Sequence, residues 1–363
     1  MRSLVVCACL LLPVLPSPLR AQTPLPPGAG IILREDVHSP ALEGNLLGDP
    51  ADQPMAIYLP PGYQDGVFRY PVLYLLHGIG GSPEDWLGGG YQGLSIAATM
   101  DSLIGAGAIQ PMIVVMPNGT NRYVGTYYTN SPVSGGWEDW IARDLVAYVD
   151  GAYRTLPRAE SRGIAGHSMG GFGALAIAMH RPGLFSAVWA MNPCCLAMVE
   201  DVSLANPAWS RMDRFATLDD LTAALREGDF YPMAIVGLAA ALSPRPELPP
   251  LYVELPFRVE GGEVVPAEPA HAKWLASFPV AQARAHRDAL AGLRALRLDS
   301  AFDDQFPHIP PSSHMLADSL AELGVPHVFE MYEGDHRSRM RERMTTLVLP
   351  FFSEILAGEA PAR

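Results

Sequence analysis

The chain has 363 residues, 49% of them hydrophobic and 17% charged, with a formal net charge of −13. That is enough apolar material for a large buried core, and it excludes a disordered chain. The negative balance argues against a nucleic-acid or anionic-membrane partner, which like charge would repel, and leaves neutral small or polymeric substrates as the better fit.

Met1-Arg2-Ser3, the apolar stretch Leu4 to Leu15 and Arg20-Ala21-Gln22 read as a signal peptide over 1–21, which predicts a secreted or periplasmic protein. The run is too short and too often broken by proline to stay in a bilayer as a stable span. Val6-Cys7-Ala8-Cys9 lies too close to Met1 for a lipid-attachment box. Only Cys194 and Cys195 then remain, and adjacent cysteines rarely bridge each other, so packing at a strand end is the expected role of the pair, with a redox or substrate-pocket role as the alternative.

After a Pro-rich leader over 22–30, Ile31 to Val37 and Met55 to Leu59 read as strands, the second closed by Pro60-Pro61-Gly62-Tyr63. Tyr70 to Leu76 is nearly all apolar, as a strand buried on both faces should be. It runs into His77-Gly78-Ile79-Gly80-Gly81-Ser82, a flexible loop at the sheet edge where open α/β sheets place ligands. Helical spacing covers Gln92 to Ile104 and Trp137 to Tyr153, with a buried strand from Pro111 to Pro117 and an aromatic loop between. Leu184 to Met191 is a strand that Asn192-Pro193 stops.

The segment from about 202 to 276 interrupts this alternation, with helices at Leu218 to Arg226 and Tyr231 to Leu242 and a hairpin turn at Gly261-Gly262. It reads as an insertion over the sheet edge, a cap or pocket wall. Alternation then resumes: helix Val280 to Leu290, strand Ala295 to Leu298, helix Ser312 to Leu323, strand His327 to Tyr332 and helix Arg337 to Leu356. Strands alternating with helices predict an α/β fold, a mainly parallel sheet covered on both faces, spanning 31–357 with a short tail over 358–363.

The chemistry centres on Gly166-His167-Ser168-Met169-Gly170-Gly171, a Gly-x-Ser-x-Gly stretch between a short strand and a helix. A serine on so sharp a turn is held with its hydroxyl clear of the backbone, and glycines two residues either side avoid collision. Ser168 is the candidate nucleophile and needs a base, which in turn needs an orienting acid. Of ten histidines, His336 directly follows the last strand on the ligand-bearing edge. His327 starts that strand at the other edge, His308 and His314 are weaker candidates in a Pro-rich stretch, and His77 and His167 read as structural. The acid falls among Asp299, Asp303 and Asp304, and spacing alone does not separate the last two. Met169, following the nucleophile, supplies one oxyanion-hole N–H; the second should come from the loop after Leu76. No His-Glu-x-x-His, Cys-x-x-Cys or phosphate loop is present, so neither metal nor cofactor is expected.

Tyr70 to Trp86 (YPVLYLLHGIGGSPEDW), the GHSMGG turn and Gly334-Asp335-His336 together resemble an esterase family of α/β-hydrolases. That family includes esterase D, S-formylglutathione hydrolases, feruloyl esterases, enterochelin esterases and mycolyltransferases; the first stretch is most similar to bacterial feruloyl esterases. The resemblance covers about 55–200 and 293–356. It implies the α/β-hydrolase fold and places the acid at Asp304, in a Gly-x-x-Asp pattern where Ala301 replaces the usual glycine; Asp304-Gln305-Phe306 supports that register. It also implies Ile79 as the second oxyanion donor, with Gly78 and Gly80 its neighbours. The expectation is a secreted serine carboxylic-ester hydrolase working through an acyl-enzyme, its substrates feruloyl or other acyl esters of carbohydrates. Acyl transfer to an alcohol and a non-catalytic binding derivative are the alternatives. Substrate choice is assigned to the insertion, where the chain departs from compact feruloyl esterases.

Overall fold

Five consecutive buried residues, Val72–Leu76, form the strand around which the sheet is laid (β3). In this computed structural model, which describes residues 28–359, it has seven companions in one eight-stranded sheet. The expected signal peptide, most of the leader and the end of the tail lie outside the described residues. The strands are β1 Ile31–His38, β2 Asp52–Leu59, β3, β4 Ile113–Pro117, β5 Arg162–His167, β6 Ala187–Met191, β7 Ala295–Ala301 and β8 Val328–Tyr332. Their order is β1-β2-β4-β3-β5-β6-β7-β8. β1–β2 and β2–β4 pair antiparallel, and every other pair is parallel.

Register is what positions the site. Leu76 lies opposite Gly166, His167 opposite Met191, Met191 opposite Asp299 and Ala301 opposite Tyr332. The carboxyl ends of β3, β5, β6, β7 and β8 therefore fall in one row, and the loops that follow them meet above it. β3, β5 and β6 are buried along their whole length, as helices packed on both faces require. One apolar cluster, on the side of Trp140 and Leu175, continues without a break into Leu221, Val236 and Trp274 of the insertion. The other lies under Met100, Met344 and Phe352.

Helices follow the predicted alternation, with differences at their ends. α1, Ile96–Gly105, starts later than Gln92 because Gln92 and Gly93 have positive φ and Ser95 caps the first turn. α2 runs over 137–152 and contains a π turn at Trp140–Leu145, an insertion that a 3.6-residue period does not reveal. α3 is Met169–His180, and α4 Leu218–Arg226 and α5 Tyr231–Leu242 match their predicted bounds. The expected helix over Val280 to Leu290 is corrected. The chain forms α6 at Ala270–Ser277, then two short turns of helix at Pro279–Gln282 and Arg287–Ala291; Pro279 opens the first, and a turn over 283–286 separates the two, which apolar spacing alone does not reveal. α7, Ile309–Glu322, precedes β8. The last helix, α8 over 340–355, begins after Arg337 because Asp335 Oδ1 takes the N–H groups of Arg337 and Ser338 into a turn.

Two glycines set how closely β5 and α3 approach. A Cβ on Gly166 would meet the Gly170 carbonyl, and one on Gly170 would meet the Leu76 carbonyl, both backbone atoms that cannot swing aside. Gly170→Ala is expected to cost more than ~3 kcal/mol or prevent soluble folding; an unchanged urea midpoint would disprove this packing argument.

Candidate active site

Ser168 sits between β5 and α3 at φ 57°, ψ −119°, a conformation a non-glycine residue adopts only under constraint. The constraint is visible: its N–H donates to Met191 O at 2.9 Å, and its carbonyl accepts from Phe172 N at 3.0 Å and Cys194 N at 3.2 Å. The residue is buried, yet Oγ makes no hydrogen bond to any described residue and faces a pocket. The N–H of Met169 opens α3, where first-turn amides have no intrahelical acceptor.

The loops after β7 and β8 are zipped by Phe302 N to Tyr332 O at 2.9 Å and Asp303 N to Gly334 O at 3.0 Å. This brings Asp304 to His336: Nδ1–H donates to Asp304 Oδ2 at 2.7 Å, and both side chains are buried. Asp304 Oδ1 also accepts from Phe306 N at 2.9 Å. The imidazole packs between the rings of His167, 4.4 Å away, and Phe306, 5.0 Å away.

The other acids separate cleanly. Asp303 is exposed. Asp299 is buried at the end of β7, accepting from Trp189 Nε1 at 2.6 Å and pairing with Arg343 at 3.0 Å. Burial pushes its carboxyl above the ordinary range against the pull of Arg343. Among the histidines, His77 donates from Nδ1 to Gly78 O at 2.8 Å and accepts at Nε2 from Gly119 N at 2.9 Å, fixing the loop after β3. Burial keeps it neutral. His167, pushed well below its ordinary pKa by burial and then by His336, donates to the His336 carbonyl at 2.7 Å. His327 bonds Val325 O, and His314 packs on Phe329. In the loop after β3, the N–H of Gly78 is taken by the Tyr91 hydroxyl at 3.3 Å and that of Gly80 by Val124 O at 2.7 Å. The Ile79 N–H has no protein acceptor among the described residues, and its side chain borders the pocket beside Ser168.

Sequence reading missed Asn192, seen only as the residue that stops β6. Its φ is +40°, and Asn tolerates the left-handed region better than most residues. Its amide donates to the Tyr332 hydroxyl at 2.6 Å and the His336 carbonyl at 3.0 Å, and accepts from Ala301 N at 2.7 Å. One side chain thus ties the loop after β6 to those carrying Asp304 and His336. Position at the end of the strand next to the serine turn was the available signal. Asn192→Ala leaves the Tyr332 hydroxyl and the Ala301 N–H without this partner and the His336 carbonyl with His167 alone; the expected loss is ~2–4 kcal/mol with a fall in turnover, and an unchanged denaturation midpoint would refute the tie.

The pocket in front of Ser168 holds about 540 Å³ of space, part of it open to solvent, and its lining is mostly apolar. Its lining includes Tyr127, Phe306 and the Cys194–Cys195 pair, whose thiols are free, together with Trp209, Tyr231 and Trp274 from 202–276. No group of three or more His, Cys, Asp or Glu side chains suited to a metal ion occurs among the described residues, and no described helix is long and apolar enough to cross a membrane.

An eight-stranded sheet in this order, with a serine on a glycine-bracketed turn after β5 and an acid and a histidine on the loops after β7 and β8, defines an α/β-hydrolase-fold protein. The chain belongs to the family described as "Putative esterase", whose model matches residues 50–338. It is 35% identical over 136 residues to an esterase of Mycobacterium tuberculosis, across 36% of this chain and 27% of that protein. It is 36% identical over 138 residues to an endo-1,4-beta-xylanase/feruloyl esterase of Xylanibacter ruminicola, across 36% of this chain and 18% of that protein. The chain therefore matches less than a third of the length of either relative. Among solved structures, a ferulic acid esterase superposes with a TM-score of 0.59 at 20% identity, covering 90% of this chain and 99% of that one; at that identity the likeness is one of fold.

Proposed function

We propose that this chain is an exported serine carboxylic-ester hydrolase that works through an acyl-enzyme. The observation that carries the reading is a serine in constrained backbone geometry that borders an apolar pocket, beside a buried aspartate–histidine pair whose imidazole packs on the adjacent His167 and on Phe306 of the pocket lining. His336 takes the Ser168 proton as Oγ attacks the ester carbonyl. Asp304 holds Nδ1–H, so Nε2 is the basic nitrogen, and it stabilises the imidazolium that forms. The Ser168–His336 hydrogen bond belongs to the substrate-bound state, since such bonds are commonly long before substrate arrives. The N–H groups of Met169 and Ile79, neither spent on a protein acceptor, receive the developing oxyanion. His336 then protonates the leaving alcohol and activates water to release the acid.

Feruloyl or other arylacyl esters of carbohydrates are the proposed substrates. The aromatic walls suit a planar acyl group, and the Xylanibacter relative's name includes feruloyl esterase. Export rests on the reading of residues 1–21. A fluorophosphonate probe should label the wild-type protein at Ser168, identified by peptide mass. No labelling, or labelling elsewhere, would refute the nucleophile assignment.

A further inference from the structure

His308 stands out in the same pocket because the proposed mechanism does not use it. It is 5% exposed and borders a space whose lining is otherwise mostly apolar. Its Nδ1 lies 2.9 Å from Asp201 Oδ1, its backbone N–H donates to the same oxygen at 2.7 Å, and Asp201 Oδ2 accepts from the Tyr231 hydroxyl at 2.8 Å. The carboxylate is thus held from three directions, and the ring plane with it. The other ring nitrogen, Nε2, has among the described residues only Cys195 Sγ at 3.9 Å, a weak acceptor. A buried polar atom left this poorly partnered costs free energy in the empty pocket.

The protonation state sets what Nε2 offers. Burial works against charge on this ring, but the hydrogen bond to Asp201, helped by contact with Cys195, outweighs it and the pKa is raised above the ordinary histidine value. At neutral pH both nitrogens then carry protons; Nδ1–H is committed to Asp201 and Nε2–H points at the pocket. Cys195 supplies no competing charge, since its contact with Cys194 and its burial keep the thiol protonated. Tyr231 is also neutral, its pKa pushed up by burial beside Asp201. The His308–Asp201 pair is net neutral, so a second anion bound there would be buried without compensation, whereas a neutral oxygen would not.

We infer that His308, anchored by Asp201, is a specificity-determining donor that recognises a neutral oxygen acceptor, a hydroxyl, ether or carbonyl, on the acyl group of the substrate. This rests on the hydrolase reading above. The insertion contributes to it directly, since Tyr231 begins α5 and braces the carboxylate.

The test uses the full chain and esters of one alcohol with 3-phenylpropanoic acid, unsubstituted or carrying a hydroxyl at ring position 3 or 4. Wild-type protein should prefer at least one hydroxylated ester by ~10-fold in kcat/KM, and His308→Leu should bring that ratio within about 2-fold of unity. His308→Gln, which retains an N–H donor, should keep part of the preference. If the leucine variant fails to fold, as judged by circular dichroism, Asp201→Asn provides the second arm: the amide oxygen must stay toward His308 to accept its backbone N–H together with Nδ1–H, so the now uncharged ring leaves Nε2 without a proton and the same ratio should fall. No preference in the wild type, or a preference unchanged in these variants, overturns the role of His308 alone. Failure of the wild type to exceed Ser168→Ala on any of the esters overturns the hydrolase reading, and this inference with it.

Discussion

Replacing Ser168 with alanine is expected to lower kcat for a short p-nitrophenyl ester by ~10⁴–10⁶-fold with little change in Tm. The two readouts separate because Oγ makes no hydrogen bond within the described protein, so its removal leaves no buried group unpaired, while the φ of 57° remains to be held whichever side chain is present. Residual turnover would come from the oxyanion donors and binding alone. Full activity in the variant would refute the nucleophile, and a large fall in Tm would show that the hydroxyl has a structural role.

The second large effect distinguishes two buried aspartates. Asp304→Asn is expected to reduce kcat by ~10³–10⁴-fold, because an amide can turn its NH₂ toward Nδ1 and favour the tautomer whose proton lies on Nε2, the wrong nitrogen for a base. Asp299→Asn should act on stability instead, by ~3 kcal/mol, since it strips Arg343 of its nearest carboxylate at 3.0 Å and leaves it only Glu330 at 3.6 Å. Activity assays beside guanidinium melts decide the matter; if both variants lose activity alike at full stability, the division of roles is wrong.

Much of the fold was legible because its strands are short, apolar and bounded by turn residues. The Tyr70 to Leu76 run and the Pro111 to Pro117 run can hardly be anything but strands buried on both faces. Register was not legible, since which carboxyl ends align depends on pairing between strands distant in sequence. The serine turn is a local motif and could be read in place. The pairing of Asp304 with His336 is not local, and spacing left Asp303 equally open until the family pattern was applied; the structure separates them by burial, with Asp304 inside and Asp303 in solvent. Asn192 and the Asp201–His308 pair escaped for the same reason. Their significance lies in partners about a hundred residues or more away, and an asparagine before proline reads first as punctuation. The broken helix over 279–291 shows the converse: apolar periodicity there outran the backbone, which turns over 283–286 between two short helices.

The carbonyl of His336 receives one hydrogen bond from His167 and another from Asn192. The backbone at this residue is therefore held through a main-chain atom that every amino acid possesses, while Asp304 aims the ring and, of its neighbours in sequence, Asp335 ties the turn. Asp335, Arg337 and Arg339 all lie exposed around it. Evolution can redecorate the outside of this loop, altering charge or solubility, while the buried residue at its centre keeps its bearing.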